Sequence, residues 1–352
     1  MISFVKRKET SKLFQMTAPF VSVLMAIATA GIIMLFAGVN PITAYSGMLQ
    51  ESVGSMYGIS ETLVKSTPLI LTGLGVSLAF RMQIWNIGAE GQLQMGAIGA
   101  AWVALYSGIQ GYIILPVMFV AAALMGGLWA GVAGVLKAKL RVNEIIVTLL
   151  MNYIAISIVS FLVYGPWKDP KGMNFPLTAQ FADFARLGSM FNTRLHYGFL
   201  LALLLVFVMY IVMEKTIWGY EIRVIGNNPN AAKYAGIKID RNIIGVLFLS
   251  GALAGVAGFS EVAGIQFRLQ EGISSGYGYT AIIIAWLAGR SAIGVLVVSV
   301  IMSIILVGGD SLQILMRLPV AFVNLFQGLI LFFILASDFF IHHKMIFKRR
   351  GA

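Results

Sequence analysis

From Thr17 almost to the C-terminus, the chain is a succession of apolar runs, most of about 17 to 25 residues, with polar breaks that are short in all but two places. A helix needs runs of that length to cross the ~30 Å hydrocarbon core of a bilayer. Segments at 18–37, 62–80, 86–107, 112–136, 143–164, 195–213, 242–266, 278–289, 292–308 and 320–337 fit the pattern, the eighth being too short to span alone. No water is available in a bilayer core, so each spanning segment must satisfy its own backbone groups. The predicted fold class is therefore all-α: a polytopic membrane protein of about ten transmembrane helices, with 1–352 as one transmembrane domain. With 59% hydrophobic and only 11% charged residues among 352, an ordinary soluble domain is excluded.

The net charge of +11 is dispersed between apolar runs and forms no continuous basic face, so it argues for membrane orientation and against nucleic acid. With both termini cytoplasmic, the outside segments hold only Lys65, Lys168, Lys171, Arg186, Arg194, Arg268 and Arg317, leaving 18 of the 25 basic residues inside, as the positive-inside rule requires. Ala26, Ile27 and Ala28 resemble a signal cleavage site, but the apolar run continues to Phe36, so an uncleaved first span is expected. Two connections are long: an external one at about 165–194 and a cytoplasmic one at about 214–241. Both are expected to have a task. Small residues four apart, Gly127 with Gly131 and Gly251 with Gly255, let helix backbones approach closely. Phe80-Arg81-Met82-Gln83 echoes Phe267-Arg268-Leu269-Gln270, and Ala101-Trp102-Val103-Ala104 echoes Ala285-Trp286-Leu287-Ala288. The first Phe-Arg pair falls at an inner end and the second at an outer end, so a true repeat would be inverted, as in transporters.

Polar residues within spans are costly, so each needs a partner, a cavity or an interfacial position. Glu144, Thr148 and Asn152 follow at i, i+4, i+8 and form one stripe, read either as interhelical hydrogen bonding or as the lining of a solute path. Trp85 to Gln92 places Asn86, Glu90, Gln92 and two glycines where a hydrophobic helix begins. This is either a capped helix start, with Glu90 near the positive end of the dipole, or a broken helix whose exposed backbone meets a polar solute. Glu261 near the outer end of its span, and Asn324 with Gln327 on one face of the last, complete the substrate-path candidates. Trp85, Tyr153, Phe267, Tyr279 and Trp286 are positioned either to anchor at the interface or to stack on a planar base or sugar face.

Chemistry is sparse. Without cysteine there are no disulfides, thiolate metal sites or cysteine nucleophiles. His196, His342 and His343 lie at span ends and form no paired-histidine metal motif, and no Walker A sequence is present. Neither a catalytic group nor a metal site is expected, and any ATP must be hydrolysed on another chain.

The cytoplasmic loop reads WGYEIRVIGNNPNAAKYAGIKI over 218–239. A short helix ends near Gly226, and a second of about two turns is opened by Asn228 as cap and Pro229 in the first turn, carried by Ala231 and Ala232, and closed by Gly236 in the left-handed conformation. Two turns bury little of their own surface, so the loop, with Glu221, Arg223, Lys233 and Tyr234, is expected to dock on a partner.

TPLILTGLGVSLAFRMQIWNIGAEGQLQMGA (67–97), KAKLRVNEIIVTLLMNYIA (137–155) and RVIGNNPNAAKYAGI (223–237) resemble the branched-chain amino acid, ribose and nucleoside permease superfamily of ATP-binding-cassette importers, in its simple-sugar and general nucleoside branch. The resemblance covers almost the whole chain. It implies a type II importer-like permease in a bacterial-type cell membrane, moving a small polar solute inward by alternating access. Nucleosides are the first expectation, with a ribose-like sugar or an ion-coupled carrier as alternatives. The implied partners are a second homologous permease, an ATPase with two nucleotide-binding domains that uses the ATP, and an extracytoplasmic solute-binding lipoprotein; this chain binds no cofactor itself. The loop would supply the coupling helix that enters a groove of the ATPase, so the resemblance agrees with the capping signals of Arg223 to Gly236.

Overall fold

A computed structural model describes residues 2–6, 12–316 and 320–347. Arg7, Lys8, Arg317, Lys348, Arg349 and Arg350, used above for orientation, lie outside them. Among the described residues thirteen α-helices follow in order: α1 (Lys12–Phe36), α2 (Pro41–Val53), α3 (Met56–Arg81), α4 (Ala89–Tyr106), α5 (Ile114–Leu140), α6 (Glu144–Tyr164), α7 (Gly198–Lys215), α8 (Ile217–Asn227), α9 (Pro229–Tyr234), α10 (Ile239–Glu261), α11 (Tyr277–Leu287), α12 (Ala292–Met316) and α13 (Val320–His342). Strands β1 (Ile2–Lys6) and β2 (His343–Phe347) pair antiparallel. Every expected apolar segment falls on a helix. The count of ten spans is not established: among the described residues six helices are long and apolar enough to cross a membrane, or seven if α1 and α2, bent by 117° at their junction, are one broken span. α11, at 11 residues, is too short to cross alone.

The chain divides into two compact units, 1–55 with 304–352, and 56–303. In the first, α1 packs on α13. The Tyr45 hydroxyl of α2 donates to Ile27 O at 2.6 Å, and its ring lies 6.4 Å from Phe326. α2 was not expected, although Asn40, whose side chain accepts from Ile42 N, and Pro41 at the first helical position carry the same start signature as Asn228-Pro229.

In the second unit α10 packs against α5, α4 and α3. Small residues make this possible: a Cβ on Gly96 would fall 2.2 Å from the Cα of Gly255, and one on Gly251 2.3 Å from the carbonyl oxygen of Gly126. The Gly251/Gly255 pair thus packs helix on helix as its spacing suggests. Of the spanning windows, 89% of that in α3 and 72% of that in α10 is buried, against 22% in α6 and 28% in α7, so α3 and α10 form the interior and α6 and α7 the periphery. The 165–194 connection is pinned to the residues just after α10. Leu187 N–H donates to Ala263 O, Phe181 N–H to Phe267 O and Thr178 N–H to Leu269 O, at 2.8–2.9 Å. Arg186 caps the arrangement by donating to Phe181 O at 2.6 Å and lying 5.1 Å above the Phe267 ring.

Candidate functional site

Residues 82–88 join α3 to α4 with Met82, Ile84, Asn86 and Gly88 buried, where water cannot satisfy the backbone, so protein partners must. Met82, Gln83 and Ile84 N–H bond back to Ala79 and Phe80 of α3, while Ile87 and the first turn of α4 are served from α6. Asn152 Oδ1 accepts from Gly91 N–H at 2.8 Å, capping the first turn of α4 from another helix, while its Nδ2 donates to Ile87 O at 2.8 Å. Thr148 Oγ1 accepts from Ile87 N–H at 3.2 Å. The stripe on α6 therefore faces the α4 start, and Asn152 is 0% exposed. Its third member, Glu144, is tied to Lys137 at 2.5 Å.

Asn86 and Gln92 exchange two side-chain hydrogen bonds of 3.0 and 2.9 Å, and Asn86 Oδ1 accepts from Gly88 N–H at 3.0 Å. Asn86 Nδ2 also donates to Ser250 Oγ on α10 at 2.8 Å, and Ser250 in turn donates to Gly75 O on α3 at 2.7 Å. Glu90 accepts from Gly278 N–H at 2.9 Å, in the first turn of α11. A Cβ on Gly278 would lie 2.1 Å from Glu90 N, so α4 and α11 begin at the same place and both positive helix ends face this carboxylate. Ser274 and Gln94 lie beside Glu90.

Five of the eight substrate-path candidates, Asn86, Glu90, Gln92, Thr148 and Asn152, thus form one polar knot joining α4, α6, α10 and α11. Tyr279, which lies beside Asn152, and Tyr153 are 38% and 60% exposed at its rim. Phe80, Trp85 and Trp286 form an aromatic cluster with centroids 5.1–6.2 Å apart. Gln94, Ser250 and Ser274 had not been picked out. Gln94, four residues after Glu90 on an apolar helix, was the readable one.

The other three candidates lie elsewhere. Glu261 is buried within electrostatic reach of Lys65 and Arg194, and Arg194 pairs with Glu61 at 3.1 Å. Beside them, before α7 begins, burial and the Arg194 charge lower the His196 pKa from 6.5 to about 4, and its Nδ1 accepts from Gly198 N–H at 3.1 Å. Asn324 is exposed on α13 in the other compact unit, and the side chain of Gln327 lies outside the described residues.

The 214–241 loop holds α8 and α9. Thr216 caps α8, accepting from Gly219 N–H at 3.1 Å. Glu214 binds Arg81 and Arg223, the latter at 2.7 Å, and Arg81 also donates to Arg290 O at 2.7 Å. Trp218 Nε1 donates to Asn242 Oδ1 and Asn242 Nδ2 to Glu221 Oε2, at 2.7 and 2.9 Å. Gly226 sits where a Cβ would meet Arg81 O at 2.1 Å. Glu221 and Arg223, expected on the docking surface, are thus half-buried anchors of α8.

α9 forms as its residues dictate. Asn228 Oδ1 accepts from Asn230 and Ala231 N–H at 3.1 Å, Pro229 opens the helix, Ala232 is its one buried residue, and Gly236 closes it at φ +76°. Ile237 N–H bonds back to Ala232 O at 3.0 Å. Pro229, Ala231, Lys233 and Gly236 are exposed, and Tyr234 is 93% exposed.

Residues 58–335 match the family described as branched-chain amino acid transport system / permease component. The chain is 38% identical to a glucose ABC transporter permease of Haloferax volcanii, over 95% of this chain and 91% of that one. It is 33% identical to a guanosine ABC transporter permease of Bacillus subtilis over 97% and 99%, and 29% identical to a nucleoside ABC transporter permease of Lactococcus lactis over 97% and 96%. Likeness that extends from end to end leaves no room for a borrowed segment on an unrelated scaffold: the chain belongs to the branched-chain amino acid transport system / permease component family and is a multi-pass membrane permease.

Proposed function

We propose that this chain is the permease subunit of an ATP-binding-cassette importer that carries nucleosides into the cytoplasm by alternating access. The single observation that carries the solute reading is the polar knot at the α4 start, with Tyr153 and Tyr279 at its rim beside Asn152 and Glu90. The half-exposed rings of Tyr153 and Tyr279, held in place by the buried knot, suit a planar base, which can stack on them. A second homologous permease would pack on this face and complete the path. The full-length likeness to guanosine and nucleoside permeases supports the same substrate class. The greater identity to a glucose permease makes a simple sugar the second reading.

The α8–α9 turn is the coupling element. Its base is tied to α3, α7 and α10, while its tip from Pro229 to Gly236 is exposed and rigidly capped, a geometry suited to entering a groove on a separate ATPase with two nucleotide-binding domains, which uses the ATP. An extracytoplasmic lipoprotein would deliver solute at the opposite face, where the 165–194 connection is pinned. Both termini are cytoplasmic in this reading, residues 1–352 act as one permease, and α4 and α11, beginning at one point, are the counterpart short helices of an inverted repeat.

Uptake of labelled guanosine, uridine, ribose and glucose by cells expressing the chain with its neighbouring transporter genes tests the proposal. Guanosine and uridine entering, with mutual competition, is expected; uptake of glucose or ribose alone would transfer the assignment to sugars.

A further inference from the structure

The ends of α5 and α9 and the start of α10 line an open cavity of about 1100 Å³ that lies apart from the polar knot and is shared with the α9 tip only through Lys233. Six cations line it: Lys137 and Lys139 from the last turn of α5, Arg141 just beyond, Lys233 from α9, and Lys238 and Arg241 at the start of α10, against the single carboxylate of Asp240. Lys137 is neutralised by Glu144. Among the described residues the other five make no ion pair. Like charges gathered without counter-ions raise the local potential and demand an anion. Arg141 has a further peculiarity: it occupies the left-handed region at φ 54°, where an L residue costs on the order of 1 kcal/mol and where glycine ordinarily ends a helix.

The floor has the opposite character. Ile243, Ile244 and Phe248, all half-buried, line the cavity along α10 beneath the cations. α5 and α10 are both spanning helices, so the floor runs toward the hydrocarbon region and the basic rim sits at headgroup depth, on the side assigned above to the cytoplasm. A soluble phosphate satisfies the rim and leaves the floor wet; a zwitterionic lipid satisfies the floor and brings a cation of its own to the rim.

We propose that this cavity is a binding site for an anionic phospholipid, its phosphate held by Lys139, Arg141, Lys238 and Arg241 and the first methylenes of its acyl chains lying on Ile243, Ile244 and Phe248. Because Lys233 and Ile237 also line the cavity, a bound lipid fills the space between α9 and the end of α5 and braces the proposed coupling turn against the membrane domain.

The test is native mass spectrometry of the full-length permease, purified with its copurifying subunits and titrated with dioleoyl phosphatidylglycerol or dioleoyl phosphatidylcholine. Phosphatidylglycerol is expected to bind at least about tenfold more tightly than phosphatidylcholine, with Lys139→Gln and Arg241→Gln each weakening it about three- to fivefold and the pair bringing it to the phosphatidylcholine level. Lys168→Gln, on the 165–194 connection, is the control and should leave binding unchanged. A wild-type measurement guards against misfolded variants: glycerophosphoglycerol and inorganic phosphate, which lack acyl chains, should not displace the lipid at comparable concentration. Equal binding of the two lipids, or phosphatidylglycerol preference retained in the double variant, would overturn the proposal. Displacement by inorganic phosphate would make the site one for a soluble anion, and loss of the ATPase from the variant with lipid binding intact would make it a protein-docking surface; either result also overturns it.

Discussion

The polar knot at the α4 start and the α8–α9 turn are built from similar parts, an asparagine at a helix start and glycines where backbones must approach or reverse, yet they place those parts in opposite surroundings. In the knot, Asn86, Gln92 and Asn152 are buried and spend their hydrogen bonds on one another and on the backbone of 86–91. In the turn, Asn228 spends its own on the two amides of an exposed helix, and the ring of Tyr234 meets nothing but solvent in the isolated chain. Polarity in the interior is thus structural first, because a buried amide without a partner costs more than the bond itself contributes. Polarity at the turn prepares a surface. Mutation should therefore be read out as lost stability in the knot and as lost coupling in the turn.

The largest effect is expected for Asn152→Leu. It strands the Gly91 N–H and the Ile87 carbonyl in the interior at a cost of about 4 kcal/mol, visible as a lowered thermal midpoint in detergent and a falling yield of folded protein. An unchanged midpoint would break the comparison, because the knot would then be held by something other than these bonds.

A similar size is expected from pH at the buried His196, before α7. His196 titrates near 4 when folded and near 6.5 when unfolded, so between those values the unfolded state binds more protons and stability rises with pH. On acidification from pH 7 to pH 4, about 3 kcal/mol should be lost, with no dependence on this group above pH 7. Thermal midpoints of the wild type and of His196→Gln, measured side by side across that range, should differ in slope; parallel curves would count against a neutral buried imidazole.

Glu90→Gln sharpens the contrast on a smaller scale. The amide still accepts from Gly278 N–H but no longer carries the charge that two helix N-termini face, so about 1 kcal/mol should be lost. A stabilised variant would show that desolvation of the carboxylate outweighs the dipoles.

What was legible in the sequence follows the range of each interaction. The cap, first turn and end of α9 act within nine residues and could be read in full. α2 could have been read in the same way from Asn40 and Pro41, but Thr43, Ser46, Gln50 and Glu51 dilute its apolar character and hid it behind the preceding run. The stripe of Glu144, Thr148 and Asn152 was visible as a stripe, whereas its target was not. Asn86 finds Ser250 164 residues away, Glu90 finds Gly278 at 188, and Arg81 finds Glu214 at 133. No local pattern encodes such pairings. Glu221 and Arg223 show the same limit: a charge on a short amphipathic helix looks solvated until packing supplies Asn242 or Glu214. The number of spans was obscured because α4 is buried by neighbouring helices rather than by lipid and tolerates Glu90, Gln92 and Gln94, while α11 stops after 11 residues.

The most direct test of the division between an architectural interior and a coupling turn is Gly236→Val, assayed in the complex reconstituted with its ATPase and solute receptor. At φ +76° a β-branched residue is strained by on the order of 1–2 kcal/mol, confined to the end of a six-residue helix with nothing packed beside it. The thermal midpoint should stay within about 2 °C of wild type, while receptor-stimulated ATP hydrolysis and guanosine uptake are lost together. Wild-type stimulation and uptake in this variant would contradict the account, because the exposed turn could then not be what links the permease to its ATPase.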